Sequence, residues 1–160
     1  MSETLKQYVT KSINIAINKS LSPIEMQKIA DSTASDIKRR TRLGFGVHTN
    51  GAKRKRLKRL SDKYIARRRL TGTHDETSPI KSNLTYTGQL LNSLKAEGHK
   101  MGFRITFNDR RKGEKLTNSK LAEYVSKARP FLNLSDRQIQ RLGEKISGNI
   151  KMEISKQFNK

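Results

Sequence analysis

The sequence predicts an α+β domain with two N-terminal helices, a small, mainly antiparallel sheet crossed by a helix, and a C-terminal helix. Three observations carry that expectation. Apolar residues recur at helical spacing over 5–18, 26–37 and 139–154, MGFRITF at 101–107 alternates with a period of two, and glycine-containing polar stretches separate these segments. A chain of 160 residues and 18.3 kDa has room for one domain and one core. Only 32% of it is hydrophobic and 31% is charged, so that core is thin, which suits an assembly subunit as well as a compact monomer.

The first helix follows from Leu5, Tyr8, Val9, Ser12, Ile13, Ala16 and Ile17, which share one face. The second has a full start signal. Ser22 is placed to accept an amide hydrogen bond, Pro23 at the first helical position loses no useful donor, and Glu25 is placed to close a capping box. Met26, Ile29, Ala30, Thr33, Ala34 and Ile37 form its packing side, and Lys38, Arg39 and Arg40 crowd a last turn where positive charge suits the macrodipole. Residues 1–40 are thus the helical part of a single 1–160 domain. Residues 44–80 form a basic, extended excursion, broken by Gly44, Gly46 and an Asn50–Gly51 turn, with a short helix over 61–68 anchored by Tyr64 and Ile65.

In the second half, Thr87 is placed to cap a helix starting at Gly88, with Tyr86 and Leu91 as a hydrophobic staple and Leu90, Leu91 and Leu94 facing the core. Gly98 and Gly102 bracket a turn. The strand that follows buries Met101, Phe103, Ile105 and Phe107, with a hairpin partner around 95–100. Residues 108–120 read as a polar connection, and LAEYV at 121–125 is too short for its period to choose between helix and strand. Ser135 and Gln138 form a capping box for the final helix, whose stripe is Ile139, Leu142, Ile146, Ile150 and Ile154; Gly143 and Gly148 weaken its intrinsic propensity.

Thirty-five Lys and Arg against 14 Asp and Glu give a formal charge of +21, which calls for an anionic partner or an acidic neighbouring subunit. From Lys38 to Arg69 there are fourteen basic residues and one acid, Asp62. Lys53, Arg54, Lys55, Arg56, Lys58, Arg59, Tyr64, Arg67 and Arg68 are therefore the candidate contacts to a neighbouring subunit or an anionic surface. Packaged DNA, met without sequence preference, and an acidic protein wall are both open as partners. No zinc-finger spacing, leucine heptad or aromatic strand motif supplies base readout.

Enzyme chemistry finds no constellation. His48, His74 and His99 stand 26 and 25 residues apart, Asp75–Glu76 beside His74 reads as a solvated loop, and Ser93 and Ser135 lack a base and an orienting acid. GFG at 44–46 and TGQL at 87–90 are turns without a phosphate-loop pattern. No enzyme activity, cofactor or metal is expected. The chain has no cysteine, hence no disulfide, and no apolar run near the ~20 residues that span a bilayer, so no membrane partner is expected.

Three blocks, LSDKYIARR at 60–68, SNLTYTGQLLNSL at 82–94 and ARPFLNLSDRQIQRL at 128–142, resemble the small neck and tail-completion proteins of tailed bacteriophages, the group that includes the HK97 gp10-like and virion-morphogenesis families. The resemblance covers roughly residues 43–154 and is carried by Thr87, Gly88 and Leu90, then Arg129, Pro130, Phe131 and Leu132. It implies a non-enzymatic ring subunit of the virion neck, made in the host cytoplasm, that completes the tail end or joins a portal-side connector or head-closure protein to the tail tube or tail terminator. Sixfold symmetry would suit the tube and twelvefold the connector. The compact LAEYVSKARPFL departs from many relatives, which place a glycine-bearing loop well before the Pro-Phe segment. A free, non-specific nucleic-acid-binding protein is the alternative reading.

Overall fold

A computed structural model describes residues 5–48, 53–72, 77–110 and 115–159; the side chains of Leu5 and Tyr8, the Asn50–Gly51 turn, and His74, Asp75 and Glu76 lie outside the described residues. The two leading helices are α1 (Leu5–Ser20) and α2 (Pro23–Arg42). Ser22 caps α2 as predicted, its hydroxyl accepting from the Glu25 N–H at 3.4 Å. The Glu25 carboxylate accepts from Lys28 at 2.6 Å, one turn along its own helix, and the predicted capping box has no reciprocal half. The apolar side of α2 is buried from Met26 to Ile37 and extends to Arg40 and Thr41.

Next comes a two-residue antiparallel pair, β1 (Phe45–Gly46) with β2 (Lys55–Arg56), then α3 (Asp62–Thr71), capped by Ser61 accepting from the Tyr64 N–H at 3.4 Å. A single helical turn, α4 (Gln89–Asn92), precedes the main hairpin of β3 (Leu94–His99) and β4 (Gly102–Phe107). The last helices are α5 (Asn118–Ala128) and α6 (Asp136–Phe158).

The β3–β4 hairpin lies on α2, which is the helix that crosses the sheet. The register sets Leu94 opposite Phe107, Ala96 opposite Ile105 and Gly98 opposite Phe103, so these six residues share one face. Gly98 makes the crossing possible: a Cβ there would run into the backbone N of Gln27 and lie 2.5 Å from the Pro23 carbonyl oxygen. Gln27 also covers the outer edge of β3, donating to the Ala96 carbonyl at 3.0 Å and accepting from the Gly98 N–H at 2.7 Å. The core gathers Ala34 and Ile37 of α2, Leu90 and Leu91 of α4, Leu94 of β3, Ala122 of α5 and the fully buried Phe131, whose ring meets Phe107 edge to face at 6.4 Å.

Several local expectations are corrected. Thr87 is exposed, and the N-cap is Gly88 in the left-handed region (φ 69°), so the helix begins later and ends after one turn. That shift moves Tyr86 two residues ahead of the cap, out of staple position, and places Leu94 in β3. Met101 is an exposed turn residue (φ 64°), its N–H donating to the Leu21 carbonyl at 3.0 Å, whereas the hairpin partner expected around 95–100 does form, as β3. LAEYV is helical, because Thr117 caps α5 by accepting from the Lys120 N–H at 3.3 Å.

The predicted capping box of α6 forms, with the Gln138 side-chain oxygen accepting from the Ser135 N–H at 3.1 Å. α6 runs alongside α1, yet none of its residues is buried: Leu142, Ile146, Ile150 and Ile154 are half-covered and Ile139 is exposed. A Cβ added at Gly143 or Gly148 would meet no heavy atom within 4 Å, so these glycines weaken the helix without serving a close approach on this chain. Alanine at either site is expected to raise the unfolding free energy by about 1 kcal/mol, and urea titration of the two single variants and the double variant measures it.

Candidate interaction surface

The 53–59 arm is anchored by two leucines and otherwise exposed. Leu57 and Leu60 are buried, while Lys53, Arg54, Lys55, Arg56, Lys58 and Arg59 are all exposed. The anchoring is backbone-deep: the Leu57 N–H donates to the Gly44 carbonyl at 2.8 Å, and the Val47 N–H donates to the Pro130 carbonyl at 2.9 Å. Gly46 is wedged between them, since a Cβ would meet the Pro130 carbonyl oxygen and lie 2.6 Å from a Leu57 methyl. The Arg54 guanidinium lies 5.2 Å from the centroid of the Phe45 ring, and Arg59 pairs with Asp62 at 3.1 Å. Among the described residues that is the one acidic contact along the arm, and it is exposed enough to contribute little.

The arm borders a groove of about 460 Å³ between the end of α2 and the start of α6, lined by Arg39, Arg40, Lys53, Arg54, Arg137 and Arg141 against the acids Asp36 and Asp136. Arg40 forms its floor. This buried guanidinium donates to the Phe131 carbonyl and to the Gln138 side chain, tying the Pro-Phe segment and the first turn of α6 to α2. Burial depresses its pKa, neighbouring Arg54 depresses it further and Asp36 opposes them. The sequence groups Arg40 only with the dipole-complementing last turn, yet it continues the apolar face three residues beyond Ile37, and that spacing is the signal that could have found it.

A second cleft, of about 430 Å³, is where the three sequence blocks meet. Leu60, Ser61, Tyr64 and Arg68 come from the first, Leu84, Thr85, Tyr86, Thr87 and Leu90 from the second, Arg129 from the third, and Leu121 and Val125 of α5 close it. Asn83, fully buried, shapes the 82–88 loop by donating to the Arg42 carbonyl at 3.3 Å and accepting from the Thr85 hydroxyl at 2.7 Å. Leu84 sits beside it in the left-handed region (φ 57°), a strained conformation for a leucine. SNLTYTGQLLNSL is thus chiefly a cleft wall followed by one helical turn.

Arg129 ties the third block to the second and to the end of the cationic arm just before the first, donating to the carbonyls of Lys58 (3.3 Å) and Arg59 (3.4 Å) and to the Ser82 hydroxyl (3.2 Å). Tyr64 and Tyr86 meet edge to face at 5.7 Å, Arg67 lies exposed over the Tyr86 ring at 5.9 Å, and the Tyr86 hydroxyl shares a 2.8 Å hydrogen bond with Thr71. Arg68, grouped by sequence with the exposed cations, is instead buried at 2% exposure. Its position three residues after Ile65 puts it on the inward side of α3. Leu90 and Phe131 belong to the core, Leu132 is half-buried against it, and Pro130 supplies the carbonyl that holds Val47.

Burial raises the pKa of the Tyr64 phenol, with nearby Arg68 partly opposing the shift. The folded state therefore holds this proton longer than the unfolded chain, and the associated stability, complete below the ordinary phenol range, is lost as pH rises through the folded pKa. In an ultraviolet titration of the four tyrosines, Tyr64 is expected to ionise late, and Tyr64→Phe is expected to delete that late component.

Among the described residues no group of three or more His, Asp or Glu side chains converges as a metal site; His48 is exposed, 3.4 Å from the Arg56 carbonyl, and His99 is exposed at the end of β3. No helix among them is long and apolar enough to cross a membrane. Comparison of the chain with family models, with curated proteins and with solved structures yields no match.

Proposed function

We propose that this chain is a non-enzymatic structural subunit of a tailed-phage neck, closing into a ring that completes the tail or joins the head connector to it. The observation that carries the reading is the cationic arm: residues 53–59 are held by buried Leu57 and Leu60 as a fixed, exposed surface that the acids among the described residues leave almost wholly uncompensated. Such a surface favours an anionic wall, whether packaged DNA or acidic connector protein. The long α6 supports assembly as well, since its Ile139 and Met152 remain exposed on a helix with no fully buried residue. Within the resemblance, the junction of the three blocks at one cleft gives Thr87, Arg129 and their neighbours a common structural task.

The test is to disrupt the gene in a phage that carries it and image the lysate. Filled heads beside separate tails are expected, with joining restored by the chain supplied in trans. Intact infectious particles made without it would overturn the reading.

A second reading, a free nucleic-acid-binding protein, is favoured by the arginine-lined groove beside the arm. It expects tight binding of duplex DNA by the monomer and no incorporation into particles.

A further inference from the structure

We propose that the cleft between α3, the 82–88 loop and α5 is a socket for a carboxylate carried on an apolar segment of a partner protein. The proposal deepens the joining role and rests on it only for where the partner is found; the chemistry of the socket stands on the cleft alone.

The starting point is an incomplete buried cation. One amino group of Arg68 donates to the Lys81 carbonyl at 2.7 Å, whereas Nε and the second amino group are buried with no hydrogen-bond partner among the described residues. Burial pushes the Arg68 pKa down, as expected for a guanidinium removed from water without a counter-charge. Arg129 stands in the same cleft, its donors engaged only with neutral oxygens at 3.2–3.4 Å. Among the described residues no Asp or Glu lines the cleft. Two guanidiniums therefore share a recess that lacks the group they bind best, a planar carboxylate accepting two parallel N–H bonds.

The remaining walls specify what carries the carboxylate. Leu84, Leu90, Leu121 and Val125 present hydrocarbon beside the cations, which an aliphatic or aromatic neighbour of the acidic group would cover. A nucleic-acid backbone fits this arrangement poorly. It needs successive cations along an open track, and the exposed 53–59 arm offers that whereas the recess does not. The strained Leu84 and the buried Asn83 that holds its loop show backbone conformation committed to shaping this wall.

The experiment uses the full chain with isotope-labelled arginine side chains, titrated at constant ionic strength with N-acetyl-leucine, with N-acetyl-leucinamide and with inorganic phosphate. N-acetyl-leucine is expected to shift the Arg68 and Arg129 Nε–H resonances, with the amide binding at least about tenfold more weakly because it offers no charged acceptor. Arg68→Met is expected to abolish the effect on Arg129. Val125→Trp, which fills the recess while keeping both cations, is expected to abolish it too, so the result does not depend on one variant's folding. Absence of an Arg68 shift, equal shifts with acid and amide, or a shift with phosphate alone would each overturn the proposal. So would binding seen only after Asp75→Asn and Glu76→Gln, which would make the occupant the chain's own acids. None of these outcomes bears on whether heads and tails join in the disrupted phage.

Discussion

Alanine at Gly98 is expected to lower the unfolding free energy by about 3 kcal/mol. The new Cβ would meet the Gln27 amide nitrogen, the Pro23 carbonyl oxygen at 2.5 Å and the Gln27 Cα at 2.7 Å. All three are backbone atoms in the first turns of α2, so no side-chain rotation relieves the clash. Relief requires β3 to lift away, which breaks both Gln27 hydrogen bonds to the strand edge, or α2 to shift, which disturbs its Ser22 cap. Gly102 on the paired strand is the control: a Cβ there meets nothing within 4 Å, and Gly102→Ala is expected to stay within about 0.5 kcal/mol of the parent. Chemical denaturation of the two variants separates a close-approach glycine from a tolerated one.

Gly98 also marks the limit of what the sequence discloses. As a residue type it reads as a turn signal, and only the placement of α2 across the hairpin reveals that the missing side chain is the point. Features encoded within a few residues were legible: the caps at Ser22 and Ser135, the short helix after Leu60, the apolar face of α2, the period-two strand over Phe103, Ile105 and Phe107, and the α+β class they add up to. Features encoded by distant partners were legible in part or not at all. β3 was expected around 95–100 only as the partner of the strand after it, because its own pattern is weak: one edge is completed by a glutamine side chain and one inward position is a glycine. The helix expected after Thr87 is cut to one turn because Leu94 is drawn into pairing with Phe107.

The candidate surface divides in the same way. Charge density marked the 53–59 arm, since six cations around Leu57 are hard to place anywhere but outside. Charge density misplaced Arg68, and the helical spacing that puts it on the face of Ile65 was the better guide. The second cleft was beyond reach, because its walls come from three segments separated by long stretches of chain, with Arg129 reaching back about seventy residues to Lys58 and Arg59.

Replacing Arg54, Arg56 and Arg59 together with serine is expected to weaken binding to a mixed-sequence DNA duplex by about a hundredfold or more at low salt, and to reduce the salt slope by about one unit per lost contact. The stability change should be small, within about 1 kcal/mol, because the three side chains are exposed, the Arg59–Asp62 pair is solvated, and Arg54 forfeits only its contact with the Phe45 ring. Leu57 and Leu60 remain to hold the arm in place. The variant therefore separates charge from fold. If the arm meets an anionic wall in the particle, the triple variant, supplied in trans to the gene-disrupted phage, should restore few joined particles despite a normal melting curve. Full restoration would show that joining depends on other surfaces, leaving the arm without an assembly role. Restoration lost together with a much lower melting temperature would contradict the burial pattern from which the arm's independence of the core was argued.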